Sequence, residues 1–367
     1  MQELLQNLIY GVQQGALYAL IALGYTMVYG VLRLINFAHG DVCMVGAFVG
    51  FYACTQWLPF KDLGQHPEAA TMNVMLAVVA LLLAMGVCAL LGVTIERFAY
   101  RPLRNGLKRS DAHFWGLMLA LPLARMFAPL LSLKGLAIVA VLGLALGYAL
   151  RPVLAWIAKR TTLSSSRLNA LITAIGVSLV LENGGILVFG ANPNFIPNVI
   201  PKKEFALGGI QLDTNRVAIL VISVTLMLLL RYIVLYTKGG KAMRAISHDI
   251  DAAKLMGIDT DRIISFTFAI GGALAGAAGA IFAALTSVKI TPLFGLQPGI
   301  KAFVSAVLGG AGNIPGAALG GLIMGVSETL VAARYSSYKD AIAFLLLVVI
   351  LLVRPAGILG KNTAEKV

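Results

Sequence analysis

Long apolar stretches separated by short polar segments run the length of the chain, and Leu76 to Ile95 carries twenty residues without one charge. A helix of that length crosses the ~30 Å hydrocarbon core of a bilayer. The same pattern predicts helices over Leu8 to Leu32, Val42 to Leu58, Val74 to Ile95, Phe114 to Leu133, Gly135 to Ala158, Leu168 to Gly190, Val217 to Tyr236 and Ile263 to Leu285. A glycine-broken region, Lys301 to Ala332, and a last apolar run, Ala341 to Val353, complete the set. The expected fold is all-α, a single polytopic membrane domain over residues 1–367 with roughly nine or ten transmembrane helices. The last run has thirteen residues, about 20 Å of helix. It needs the flanking Tyr338, Lys339 and Asp340, or a locally thinned bilayer, to cross. The first run is too long for the apolar region of a signal peptide and lacks a basic leader, so it is expected to stay as a helix.

The polar segments assign sides. Arg97, Arg101, Arg104, Lys108 and Arg109 share one loop, Lys159, Arg160 and Arg167 a second, and Lys238, Lys241, Arg244 and Lys254 a third. The positive-inside rule places these loops in the cytoplasm, together with the C-terminus and its Arg354, Lys361 and Lys366. Glu3 is the one charge before the first helix and argues for an outer N-terminus. Composition fits a bilayer, with 59% hydrophobic and 12% charged residues, where soluble domains carry about a quarter charged. The net charge of +13 is then topological, and nucleic acid is not an expected partner. Cys43, Cys54 and Cys88 lie in apolar stretches without metal-type spacing and read as small packed side chains. Neither a metal nor a cofactor is expected.

Small residues four apart predict close helix contacts at Gly272 and Gly276, at Gly271, Ala275 and Gly279, at Gly316 and Gly320, and at Gly321 and Gly325. Two polar breaks interrupt the apolar blocks, Arg33 to Asp41 near the start and Gly309 to Gly316 near the end. Breaks in corresponding positions of two halves point to a transport pathway, because unwound backbone at membrane depth persists only beside protein or water. Ordinary turns between short helices would give the same pattern. The candidate pathway or gate residues are Asn36, His39, Asp41, Gly309, Gly310, Gly312, Asn313 and Pro315. No nucleophile or third partner accompanies His39 and Asp41, so no catalytic site is expected, and Asp41 suits a cap at the start of the Val42 helix. Arg125, Glu182, Asn183 and Glu328, inside apolar segments, read as snorkelling or hydrogen-bonded structure.

The loop at 237–262 is the most informative segment. Gly239 to Asp259 reads as a short amphipathic helix stopped by Gly257, with small residues that allow close approach to another surface and charges that set register. A solvated connector would share these features. Its core, Asp251-Ala252-Ala253 followed by Gly257, resembles the coupling loop of ABC importer permeases, with Arg244 and Asp249 flanking. Neither Gly240-Lys241-Ala242 nor Gly360-Lys361-Asn362 continues to the Ser or Thr of a P-loop. Any ATP chemistry belongs to a partner.

The chain as a whole resembles the LivH-type permease of branched-chain amino-acid ABC importers. The resemblance runs through Gly15 to Gly24, Ile35 to Asp41, Glu96-Arg97, Tyr100 to Arg104, Ala170 to Gly176, the coupling loop, Lys301-Ala302-Phe303, Val307 to Gly316 and Arg354 to Gly357. It implies a bacterial inner-membrane importer in which this permease pairs with a second, LivM-type permease. Two cytoplasmic ATPases would dock on the coupling loops, and a periplasmic binding protein would deliver leucine, isoleucine or valine. Arg244, Asp249, Asp251, Ala252, Ala253 and Gly257 would carry the ATPase contact. The chain departs from the family at an extra apolar pair over 107–163 and at Glu182, where a neutral amide is more familiar. Urea and amide permeases look similar, and a secondary transporter with Glu182, Asp41 and His39 as an ion relay is the rival of another class.

Overall fold

The computed structural model describes residues 2–61, 63, 66–105, 141–152, 167–196, 203–207, 210–286 and 288–360. Its helices are α1 (Gln2–Leu32), α2 (His39–Tyr52), α3 (Ala70–Ile95), α4 (Val141–Pro152), α5 (Arg167–Phe189), α6 (Thr214–Tyr236), α7 (Lys238–His248), α8 (Ile250–Leu255), α9 (Thr260–Leu285), α10 (Leu296–Gly309), α11 (Ile314–Arg334) and α12 (Ala341–Val353). Among the described residues, α1, α3, α5, α6, α9 and α11 are long and apolar enough to cross a membrane. A hairpin of β1 (Glu204–Leu207) and β2 (Ile210–Asp213) precedes α6, in a loop the hydrophobic pattern left without structure. The expected helix Phe114 to Leu133 lies outside the described residues. So does half of Gly135 to Ala158, of which Val141–Pro152 is helical.

Polar side chains set several helix starts. Asp213 accepts a hydrogen bond from the Arg216 N–H at the head of α6, Thr237 from Gly240 at α7, Asp249 from Asp251 and Ala252 at α8, and Asp259 from Arg262 at α9. Each satisfies an N–H that the first turn leaves without a helical partner. The start of α2 corrects the expectation for Asp41. The helix begins at His39 behind Ala38, with no side-chain cap, and Asp41 falls inside its first turn. There a carboxylate still suits the positive end of the helix.

α1 and α9 form the interior, where Leu17, Leu20, Ile21 and Leu23 of α1 and Ile264 and Phe268 of α9 are fully buried. α3, α5, α6 and α12 turn large apolar side chains outward, among them Leu82, Leu90, Leu179, Leu228 and Leu352. That is the surface a bilayer covers. The small-residue pairs mark the seams. A methyl on Gly276 would stand 2.6 Å from the Ala84 carbonyl oxygen of α3, and one on Gly46 of α2 would stand 2.5 Å from the Gly276 Cα. Gly321 and Gly325 of α11 pack on Ala19 and Gly15 of α1 in the same way. Backbones this close maximise dispersion contact where hydrophobic exclusion from water cannot act.

These seams fix direction. α9 pairs in parallel with α2 and antiparallel with α3, and α1 runs antiparallel to α11. The end of α1, α7 and α8, the Gly310 turn and the Arg354–Gly360 segment share one face, and the start of α1, the hairpin and Tyr335–Asp340 share the other. On the first face Arg101 and Arg104, in the helical extension of α3, bind Asp261 of α9 at 2.8 and 2.6 Å, and Arg104 reaches the buried Glu96 at 3.2 Å.

Candidate functional site

The polar segment after α1 turns back into the bundle. Arg33 takes a left-handed φ of 53°, and six residues later α2 starts with the His39 ring lying against Gly24. Gly24 is eight residues, about 12 Å, inside the end of α1. From the opposite face the chain re-enters after α9. Thr291 to Gly295 descend through turns, and α10 starts at Leu296. The two starts meet backbone to backbone: a methyl on Gly40 would lie 2.6 Å from the Gly295 carbonyl oxygen and 3.0 Å from the Gly299 Cα. α10 has 14 residues, about 21 Å, and reaches only part of the way across a bilayer, while α2, also 14 residues, continues through the π-helical turn Ala53–Trp57.

Every candidate residue in the first break is buried at this junction. Asn36 accepts a hydrogen bond from the Tyr100 hydroxyl at 3.0 Å, His39 meets the edge of the Tyr25 ring at 4.7 Å between centroids, and Asp41 accepts one from Ser178 of α5. The second break sits elsewhere. Gly309 closes α10, Gly310 and Gly312 take φ of 109° and 89°, and Asn313 caps α11 by accepting from the Gly316 N–H, with Pro315 in the first turn. This is a tight turn held by the C-terminal segment, which bonds through Ile358 and Leu359 to the Leu308 and Gly309 carbonyls. About 20 Å of α10 separates it from Gly40. The partner of the Asn36 to Asp41 break is therefore Pro292 to Gly299, a stretch rich in proline and glycine. Ser178, Gly295 and the exposed Gln297 were not anticipated. Prolines and glycines at 292, 295, 298 and 299 were the available signal.

The loop at 237–262 forms two helices where one was expected, broken at Asp249, whose φ is −156°. α7 buries Gly240, Met243 and Ile246 and packs on α1, α6 and α9. α8 buries Ala253, ends where Gly257 takes φ of 81°, and closes with the Ile258 N–H on the Ala253 carbonyl at 3.1 Å. Asp251 and Ala252 are exposed, and Arg244 donates to the Leu235 carbonyl at 3.3 Å. Leu255 and Met256 project from the tip, 90% and 82% exposed.

Comparison with known proteins adds to this geometry. A family model described as branched-chain amino acid transport system / permease component matches residues 7–108 and 110–351. The high-affinity branched-chain amino acid transport system permease protein LivH of Salmonella typhimurium is 36% identical over 375 residues, covering 99% of this chain and 97% of that protein. LivH of Escherichia coli K12 is 35% identical over 370 residues, with 99% and 97% covered. The permease protein BraD of Pseudomonas aeruginosa is 35% identical over 368 residues, with 99% and 98% covered. No solved structure matches the chain significantly.

Proposed function

The chain belongs to the permease-component family of branched-chain amino acid transport systems, and from that premise we propose that it is the membrane subunit of an ATP-driven importer for leucine, isoleucine and valine. It is a multi-pass transport subunit. Its partners on this reading are a second, related permease, two cytoplasmic ATPases and a periplasmic binding protein. The assembly sits in the bacterial inner membrane, with α7, α8 and the C-terminal segment toward the cytoplasm.

The observation that carries the reading is the α7–α8 elbow. It lies beyond the apolar spans, is rooted by Met243, Ile246 and Ala253 against the two interior helices, and presents an apolar tip. A partner gripping Leu255 and Met256 would move a lever whose other end rests on α1 and α9. Asp249 and Gly257 shape that lever through a cap and a left-handed turn, while Asp251, Ala252 and Arg244 face the docking side. The junction of α2 and α10 is the gate in this scheme. Its glycines close the path by direct backbone contact, and solute passes when the two starts part, with Asn36, His39 and Asp41 lining the opening. Gly309, Gly310, Gly312, Asn313 and Pro315 form the turn about which α10 moves.

The test is purification of the tagged chain from mild-detergent native membranes, with and without Gly257→Pro, and identification of the bound proteins by mass spectrometry. Proline holds φ near −65° and cannot take the turn. Co-purifying ATPases and a second permease, lost in the variant at equal membrane abundance, are expected. The chain alone in both samples would reject the coupling role, and leucine uptake that survives ATP depletion but not ion-gradient collapse would reject the importer.

A further inference from the structure

The half-helix α10 carries a buried cation. Lys301 is 5% exposed, and its Nζ binds Glu328 Oε1 of α11 at 2.6 Å and Asp340 Oδ1, just before α12, at 2.7 Å. The ammonium also stands 5.9 Å from the Tyr18 ring of α1, and Gln14 donates to the Tyr18 hydroxyl at 2.9 Å. One side chain thus ties α10 to α1, α11 and the outer segment Tyr335–Asp340. A lone cation at this depth is costly, so the position of α10 that gives Lys301 its partners is strongly preferred over one that does not. Lys301 is six residues from Gly295, whose carbonyl faces Gly40. Whatever fixes the rotation and depth of Lys301 fixes the face that α10 shows to α2.

The two carboxylates are unequal. The Glu328 side chain is 11% exposed and the Asp340 side chain 47%. Glu328 is enclosed between packed helices, whereas Asp340 sits on a short outer segment that water reaches. Removing Asp340 leaves the Lys301–Glu328 pair neutral and intact, so this arm can release without stranding a buried charge.

We propose that Lys301 is a positioning residue for the gate, holding the start of α10 against Gly40 through a fixed pair with Glu328 and a releasable pair with Asp340. The inference rests on the α2–α10 junction being the gate, and the experiment separates the two. Leu296, first in α10 and 46% exposed, is replaced by cysteine, and its labelling by N-ethylmaleimide in native membranes is measured against the parent with its three buried cysteines. Asp340→Asn should raise the labelling rate about fivefold, the population change that ~1 kcal/mol produces at a half-exposed pair. Lys301→Met alone strands the Glu328 charge and is expected to misfold, so the paired Lys301→Met, Glu328→Met change is the second variant and should raise labelling at least as much. Lys301→Arg should restore the parental rate. Parental labelling in both Asp340→Asn and the paired variant would overturn the proposal, whatever happens to leucine uptake. Raised labelling with normal uptake would uphold the positioning role and remove the gate reading.

Discussion

Replacing Leu255 and Met256 together by alanine separates docking from folding. Both side chains stand almost free at the tip of α8, 90% and 82% exposed, on a loop outside the apolar spans. Truncating exposed side chains changes stability by no more than about 0.5 kcal/mol. Burying a Leu or Met fully against a partner contributes about 1.5–3 kcal/mol, and alanine keeps part of it. With each side chain about half covered in the complex, and alanine keeping part of that contact, the double variant loses ~1–2 kcal/mol of docking. That weakens the dissociation constant by about 5- to 30-fold. The assay is titration of the purified ATPase subunit against the permease in lipid nanodiscs, with a thermal melt of each permease alone. An unchanged melt with the weakened Kd is the expected pair. A Kd within about threefold of the parent would refute the argument that the exposed tip is the contact. Ala253→Leu gives the opposite signature: Ala253 is 4% exposed against the core, and overpacking should cost about 1–3 kcal/mol of stability.

Gly276→Leu should abolish accumulation of the protein in membranes, because the new side chain meets the Ala84 carbonyl and Cys88; Gly86→Leu, where nothing lies within 4 Å, should leave immunoblot levels unchanged. Tyr100→Phe removes the donor to the buried Asn36 Oδ1 and should destabilise by about 1–3 kcal/mol, read as a lower melting temperature and slower leucine uptake. The Lys301 ammonium, through its hydrogen bond, holds the Asp340 carboxyl below its ordinary value of 3.8. A depressed carboxyl contributes its stability above the unfolded value and loses it as pH falls through the folded one. Labelling at position 296, divided at each pH by that of a freely exposed cysteine to remove the change in thiolate fraction, should therefore be flat from about pH 5 to 8 and rise only in stronger acid; a normalised rise near pH 7 would contradict the pair.

The long spans were legible because a bilayer demands unbroken apolar length, and the ends of Val217 to Tyr236 and Ala341 to Val353 fall within a turn of α6 and α12. The glycine pairs were legible for the same reason, since few other residues let backbones touch. The meeting of α2 and α10 was not. It joins Gly40 to Gly295 across more than 250 residues, and no local periodicity records which break faces which. The Gly309 to Gly316 run carries the stronger glycine signal but serves a turn at a helix end. Ser178 looked like any serine in an apolar segment until α5 brought it to Asp41. Lys301, Glu328 and Asp340 were visible as polar residues, and their charges balance only once three elements are assembled.

α1 runs from one face to the other, and α2 then starts at depth and returns toward the face where α1 began. α9 runs in the opposite direction, and α10 starts beside the head of α2 and returns toward the face where α9 began. The two helix pairs are one step executed in opposite senses, the relation that inverted repeats have. A tilt that frees α2 toward one side has a counterpart that frees α10 toward the other. On the proposed gate reading, outward and inward opening then become a single motion seen right side up and upside down, and the path exposes its centre alternately to either face without a different hinge for each.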